Sequence, residues 1–242
     1  MVDAAFFLDN TRADSARLAE VAARDAAAPV PSCPGWTVGD LLLHVAAVYL
    51  HKVEAIRHNA RPTPWPPDFS GREPLELYGE ARSALIAELG RRGPDEPAWT
   101  FWPDDQTCAF WFRRMAHETV VHRVDAELAA GEVTPVDPEL AADGVDEVLR
   151  VMLCGPWWAD GDTAEPVDAA VRLSTGDRSW TVWPDARQAA LVEDGDAAAE
   201  IAGEPEDLLL WLWGRRDDSA VRFTGDPDVV RRFRRRLAEG LT

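Results

Sequence analysis

The first half of the chain alternates between turn-rich stretches and segments in which apolar residues recur every three or four positions. That spacing is typical of helices that bury one face. In the segment DLLLHVAAVYLHKVEAIRHN, for example, Leu41, Val45 and Val48 lie on one side. Four such helices are predicted over residues 3–25, 37–59, 74–91 and 107–130. Four helices of this length, joined in part by long loops, favour a four-helix bundle.

The second predicted helix has a clear start signal. Thr37 follows the turn-rich stretch APVPSCPGW, and Asp40 comes three residues later. A threonine at this position can accept a hydrogen bond from the first helical turn, and an acidic residue three positions on can return one. The pair therefore predicts a capping box at the start of this helix.

A different pattern follows the fourth helix. A fifth helix is predicted over residues 138–158, leading out of the bundle. Short runs with alternating polarity, such as VDAAVRLS, then predict antiparallel strands over 167–174, 180–183 and 189–192. A helix over 205–213, a strand over 221–223 and a helix over 227–237 complete the pattern. The predicted fold class is therefore α+β with two domains: a helical bundle over residues 1–150 and a smaller α+β domain over 151–242.

Charge excludes several classes of function. The 242 residues carry 43 acidic and 25 basic side chains, a formal net charge of −18, and 46% of them are hydrophobic. A surface this acidic repels nucleic acid and anionic membranes, so we expect neither as a partner. The longest apolar runs are too short and interrupted to span a bilayer. Nearly all the positive charge is arginine, with Lys52 the single lysine.

The cysteines and the N-terminus indicate the compartment. Cys33, Cys108 and Cys154 are scattered and form no CxxC pair, which suits a reducing cytoplasm and argues against a cysteine zinc site. The first residues show no basic start followed by an apolar stretch, so no signal peptide is predicted. We therefore expect a cytoplasmic protein.

The five histidines include one arrangement suited to a metal ion. Glu118 and His122 are four residues apart and share a helix face. His44 lies beside the apolar stripe of the second helix. Two imidazoles and a carboxylate can hold zinc and leave a fourth position open. The ordinary alternative is a surface Glu–His pair and a hydrogen-bonded core histidine. Spacing alone favours that alternative, because it does not show that the two helices meet.

Two longer segments carry a family resemblance. VPSCPGWTVGDLLLHVAAVYLH and MAHETVVHRVDAE resemble the N-terminal domain of the mycothiol-dependent maleylpyruvate isomerase family, a DinB-like metal-binding bundle. GEPEDLLLWLWGRRDDSAVRFTGDPDVVRRFRRRL is similar to that family's C-terminal domain, which is related to sterol carrier proteins. The resemblance implies that His44, Glu118 and His122 bind zinc or another divalent metal, and that mycothiol is a cofactor. The arginine-rich, alanine-rich composition is compatible with an actinobacterial source.

The resemblance also implies an activity. In such an enzyme a zinc-bound thiolate of mycothiol attacks a small electrophile and isomerises it from cis to trans. One alternative is a mycothiol S-transferase that conjugates another electrophile. A non-catalytic metal or small-ligand binding protein on the same scaffold is the other. The sequence leaves the substrate and the oligomeric state open. The walls of the substrate pocket are expected to come from the loops over residues 61–72 and 96–106.

Two further candidates lie outside the metal ligands. The resemblance implies that an arginine of the C-terminal domain binds an anionic substrate, and WLWGRR offers Arg215 or Arg216 as catalytic candidates. Alternatively, both arginines complement the negative end of their own helix. Asp125 is three residues after His122 and could orient its imidazole. An ordinary salt bridge with Arg114 or Arg123 is the alternative for Asp125.

Overall fold

The chain divides into two compact units, Met1–Pro135 and Val136–Thr242. The computed structural model describes residues 3–155, 166–185, 188–193 and 195–240. The division lies earlier than the limit of 150 that the sequence indicated. The reason is the helix that begins at Pro138, which packs against a later helix of the second unit rather than extending the bundle.

The first unit contains the predicted bundle of four helices. They are α1 (Ala4–Ala22), α2 (Val38–His58), α3 (Pro74–Gly90) and α4 (Cys108–Ala130). Helix α1 packs mainly against α4, and α2 mainly against α3, while α2 also contacts α4. Leu18, Leu41, Leu85 and Trp111 are among the fully buried side chains of this core. The apolar stripes that predicted the helices are thus the surfaces that pack together.

Both ends of α2 are fixed by local hydrogen bonds. The Thr37 hydroxyl accepts from the backbone N–H of Asp40, and the Asp40 carboxylate accepts from the backbone N–H of Thr37 at 2.9 Å. The predicted capping box is therefore confirmed. At the other end, Asn59 adopts a left-handed conformation with φ of 46° and stops the helix. Because both ends of α2 are fixed, the direction in which each of its side chains points is fixed as well.

One buried hydrogen bond joins α2 to α4. The Tyr49 hydroxyl lies 2.6 Å from the Thr119 hydroxyl, and both side chains are fully buried. Thr119 in turn donates to the carbonyl of Met115, so Tyr49 is the donor of the interhelical bond. A buried hydroxyl that loses its partner lowers the stability of the fold by roughly 1–3 kcal/mol. The hydrogen bond therefore favours one register of α2 against α4.

The second unit combines helices with a mixed sheet. Helix α5 (Pro138–Glu147) continues into a π-helical segment (Val148–Leu153). The last residues of the predicted fifth helix, 156–158, lie outside the described residues. The strands are β1 (Val171–Thr175), β2 (Arg178–Pro184), β3 (Ala189–Val192), β4 (Ala199–Ala202) and β5 (Arg222–Gly225). Helices α6 (Pro205–Leu212) and α7 (Pro227–Gly240) complete the unit.

The sheet has the strand order β3-β2-β1-β4-β5. The pairs β1–β2, β2–β3 and β4–β5 are antiparallel, as expected from the alternating pattern, whereas β1 and β4 are parallel. Strand β4 was not predicted. Its sequence, AEIA, is half alanine and offers little of the β-branched or aromatic signal by which strands are recognised. The α+β two-domain class is confirmed.

In the described part of the chain, none of the helices combines the length and the apolar character that a membrane crossing requires.

Candidate metal centre

The three predicted ligands meet on the facing sides of α2 and α4. The Nε2 atom of His44 lies 3.5 Å from Oε1 of Glu118, and Nε2 of His122 lies 3.2 Å from the same oxygen. The two imidazole rings are 5.0 Å apart between centroids and nearly perpendicular. One nitrogen or oxygen from each residue lies within 4.8 Å of the other two. Within the described residues, no other group of three or more His, Cys, Asp or Glu side chains has this geometry.

The spacing of these atoms suits a tetrahedral metal ion. Zinc binds nitrogen and oxygen at about 2.0–2.1 Å, so neighbouring ligands of a regular tetrahedron lie about 3.3 Å apart. The two separations to Glu118 fall on either side of that value. The donor set also fits, because two imidazoles and a carboxylate with one open position are typical of catalytic zinc. The site residues therefore fit the metal that the resemblance implies.

Glu118 is held as a carboxylate by its neighbours. Burial alone would raise its pKa, but the charge of Arg114 and the contact with His122 outweigh burial and hold the pKa of Glu118 well below its usual range. The guanidinium of Arg114 contacts Oε2. Oε1 is then the oxygen that faces the two histidines.

The orientation of His122 is set by a buried carboxylate. Its Nδ1 lies 2.9 Å from Oδ2 of Asp125, and Asp125 is fully buried. Oδ1 of Asp125 accepts a hydrogen bond of 2.5 Å from the Ser32 hydroxyl. Burial disfavours the charged imidazole, but Asp125 and Glu118 raise the pKa of His122 to about 9. With Nδ1 directed at Asp125, Nε2 is the atom that faces Glu118 and His44.

This arrangement is the one expected if Asp125 orients a ligand. A carboxylate behind a ligating histidine fixes its tautomer and increases its basicity. Arg123, offered as an alternative partner of Asp125, forms ion pairs with Glu127 at 2.6 Å and with Asp14 at 3.1 Å. Sequence reasoning did not find Ser32, or Trp36, whose ring centroid lies 5.1 Å from that of His44. Both belong to the turn before α2, where no periodic pattern indicates which way a side chain points.

The remaining histidines lie elsewhere in the first unit. His51 packs edge-on against Trp65, with ring centroids 5.1 Å apart, and burial lowers the pKa of His51 to about 4. His117 is buried beside Phe7, and His58 is exposed next to Glu54. None of these three belongs to the group of potential ligands.

Arg215 and Arg216 belong to the second unit, directly after α6. Arg215 donates to the carbonyl of Trp213 at 2.6 Å. Arg216 lies 3.5 Å from Oε1 of Glu206 and 3.8 Å from Oδ1 of Asp207. The contact of Arg215 with a carbonyl at the end of its own helix agrees with the local explanation for these arginines. A role for either arginine in binding substrate stays a prediction.

Two family models and two solved structures match this chain. Residues 8–127 match the model of the mycothiol maleylpyruvate isomerase N-terminal domain, and residues 139–232 match the model of the MDMPI C-terminal domain, from the same family. No curated protein matches the sequence. The crystal structure of a mycothiol-dependent maleylpyruvate isomerase superposes with a TM-score of 0.62 at 16% identity, covering 92% of this chain and 93% of that one. A mutant of a mycothiol-dependent maleylpyruvate isomerase gives the same TM-score and coverage at 12% identity. The chain therefore belongs to the mycothiol maleylpyruvate isomerase family.

Proposed function

We propose that this protein is a metal-dependent enzyme that uses mycothiol to isomerise a small electrophile from cis to trans. The observation that carries the proposal is the convergence of His44, Glu118 and His122 at separations suited to a tetrahedral metal. Family membership supports mycothiol as the thiol. We place the enzyme in the cytoplasm, where its three cysteine thiols would stay reduced.

The site would supply a reactive sulfur at neutral pH. A divalent ion such as zinc lowers the pKa of a thiol that binds to it, so mycothiol bound there would carry the nucleophilic thiolate. The protein contributes the three ligands and their supports. Arg114 keeps Glu118 ionised, and Asp125 holds His122 with Nε2 toward the site.

Exposure indicates from which side a thiol reaches the site. The side chain of His44 is 38% exposed, whereas those of Glu118 and His122 are 14% and 12% exposed. Glu118 and His122 thus form the buried back of the site, and His44 lies at its open side. We infer that mycothiol and the electrophile approach past His44 and the neighbouring Trp36.

The first test is metal content. Purified wild-type protein should retain close to one zinc ion per chain, and His44→Ala and Glu118→Ala should lose it. His58→Ala is the matched control, because His58 is an exposed histidine at the far end of the same helix. Unchanged zinc content in both ligand variants would show that the assigned ligands are wrong.

The second test separates the possible activities. The zinc protein is supplied with mycothiol and maleylpyruvate, and both the trans product and free thiol are followed. Isomerisation with no net loss of thiol supports the proposal. A thiol conjugate of another electrophile, without isomerisation, would instead identify a mycothiol S-transferase. Ligand-induced stabilisation with no turnover of either kind would identify a binding protein.

We also propose that Arg215 or Arg216 binds an anionic group of the substrate, a role supported by the family resemblance. Replacing the responsible arginine with alanine should raise KM for the anionic substrate about tenfold or more, because a charge-assisted hydrogen bond contributes roughly 1.5–3 kcal/mol. Arg231→Ala, an exposed position on α7, is the control. Unchanged KM in Arg215→Ala and in Arg216→Ala would reject the role.

A further inference from the structure

The one lysine of the chain lies in the interface between α2 and α4. Of the 25 basic side chains only Lys52 is not arginine. Its ammonium lies 5.0 Å from the centroid of the Trp111 ring and 5.9 Å from that of Phe101. A lysine offers a compact point charge, whereas arginine presents a wide planar fork. This position therefore holds a cation of a different shape from every other basic residue in the protein.

Lys52 lies along the same α2–α4 interface as the three candidate metal ligands. His44 faces His122, Tyr49 faces Thr119 and Lys52 faces Trp111, so α2 and α4 run antiparallel along a common seam. Eight residues separate His44 from Lys52, an axial distance of about 12 Å along a helix. Helical side chains lean toward the N-terminus of their helix, so the lysine leans back toward the turn that carries His44. Lys52 and His44 are thus about two helical turns apart along this interface.

The surroundings of Lys52 lack a carboxylate partner. Among the described residues it forms no ion pair, and its polar contact is with Nδ1 of His51 at 3.3 Å. Burial lowers the pKa of Lys52 to about 8, while the negative charge of Glu118 counteracts part of that effect. The ammonium is therefore still mostly protonated at neutral pH. A cation beside two aromatic rings and without its own counter-ion attracts an anion more strongly than one in open water.

We propose that Lys52 binds a carboxylate of the small-molecule substrate, with Trp111 and Phe101 as the apolar wall beside it. This places an anion-binding group in the first unit, independently of any arginine of the second. The identification of the bound molecule as the electrophile rests on the proposed function. Binding of a carboxylate by Lys52 does not, and it is measurable without mycothiol.

The test uses maleate, a small cis dicarboxylate, as the probe. Its affinity for the zinc-loaded full chain is measured by titration calorimetry in the absence of mycothiol. Lys52→Met should weaken binding about tenfold or more, because it removes the charged partner of the carboxylate. Arg12→Met, an exposed cation on α1 paired with Asp9, should bind within twofold of wild type. Zinc content and circular dichroism verify that each variant is folded.

Lys52→Arg distinguishes charge from packing. It keeps the positive charge and should bind maleate more tightly than Lys52→Met. Equal weakening in both variants would mean that packing against the rings, and not charge, causes the loss. That result would overturn the proposal, as would unchanged affinity in Lys52→Met or no maleate binding by wild type. Lys52→Gln is the replacement if the methionine variant does not fold.

The two proposals fail separately. Absence of mycothiol-dependent turnover in wild type would reject the proposed function, while the maleate titrations would still decide the role of Lys52. Conversely, turnover with maleate affinity unchanged in Lys52→Met would reject only the carboxylate site. If Lys52→Met weakened mycothiol binding but not maleate binding, the thiol and not the substrate would be the molecule at Lys52, and the proposal would be wrong.

Discussion

Nδ1 of His122 lies 2.9 Å from Oδ2 of Asp125, a carboxylate with no exposed surface. The same carboxylate accepts a hydrogen bond from Ser32 in the turn before α2. Asp125 thus connects His122 of α4 to the segment that leads into the helix carrying His44.

Removing Asp125 should weaken metal binding without removing a ligand. We expect Asp125→Ala to reduce zinc affinity about 10–100-fold, the usual effect of losing the partner of a ligating histidine. Affinity is measured by competition with a chromogenic chelator. Ser32→Ala is the control, because it removes the hydrogen bond to Asp125 and leaves His122 paired. A loss as large in Ser32→Ala would mean that the turn, and not the histidine, depends on Asp125.

Zinc should stabilise the folded protein through the ligands. A ligand that binds only the folded state at 100 times its dissociation constant adds about 2.7 kcal/mol to the free energy of unfolding. We therefore expect the thermal midpoint of metal-free wild type to rise when zinc is added. His44→Ala, which removes the most exposed of the three ligands, should abolish most of the rise, and His58→Ala should retain it. An equal rise in all three proteins would indicate binding elsewhere.

The half-buried imidazole of His51 should make stability depend on pH. Its folded pKa of about 4 lies below the value of about 6.5 for an exposed histidine, so between these pH values the unfolded chain binds more protons. The contribution of His51 is therefore complete above about pH 6.5 and is lost as the pH falls toward 4. His51→Phe keeps an aromatic ring against Trp65 and should remove this dependence. The measurement is urea unfolding at pH 4.5 and 7. If wild type and variant lose the same stability, His51 does not titrate as stated.

A buried ion-pair network fastens α1 to α4. Glu127 is fully buried and lies 2.8 Å from Arg17 and 2.6 Å from Arg123, which is itself almost fully buried. Glu127→Ala leaves the guanidinium of Arg123 with Asp14 as its remaining ion-pair partner, so we expect a loss of about 3 kcal/mol or more. Glu20 also pairs with Arg17 but is exposed, and Glu20→Ala should cost much less than Glu127→Ala. Equal costs, measured by urea unfolding, would contradict the importance of burial.

The sequence predicted the helices of the first unit well because their signals are local. The apolar stripe of α2 and the reciprocal bonds of Thr37 and Asp40 depend on residues within a few positions of each other. Strand β4 was missed because it lacks such a local signal. Its alanines carry weak strand propensity, and its parallel pairing with β1 is a contact between distant parts of the chain.

At the candidate site, too, the sequence indicated the local relationships but not the contacts between distant residues. The i, i+4 spacing placed Glu118 and His122 on one face, but nothing local could bring His44 to them, and the family resemblance supplied that step. The sequence left two interpretations of Asp125, a support for His122 and an ordinary salt bridge with Arg114 or Arg123. The contact between Asp125 and His122 depends on side-chain conformations that spacing does not give. The position of Lys52 over Trp111 had no sequence signal at all, because it depends on how α2 and α4 face each other.

The origin of all three ligands on two helices has a consequence for how this site can change. A residue inserted within α2 between its cap at Thr37 and His44 would rotate His44 by about 100° around the axis and destroy the site. The loops over residues 60–73 and 91–107 carry none of the ligands, so their lengths can change while the three donor atoms stay where they are. The sequence predicts that these loops line the substrate pocket, so an exchange of loops is expected to alter the substrate while the helices that carry the three residues stay intact.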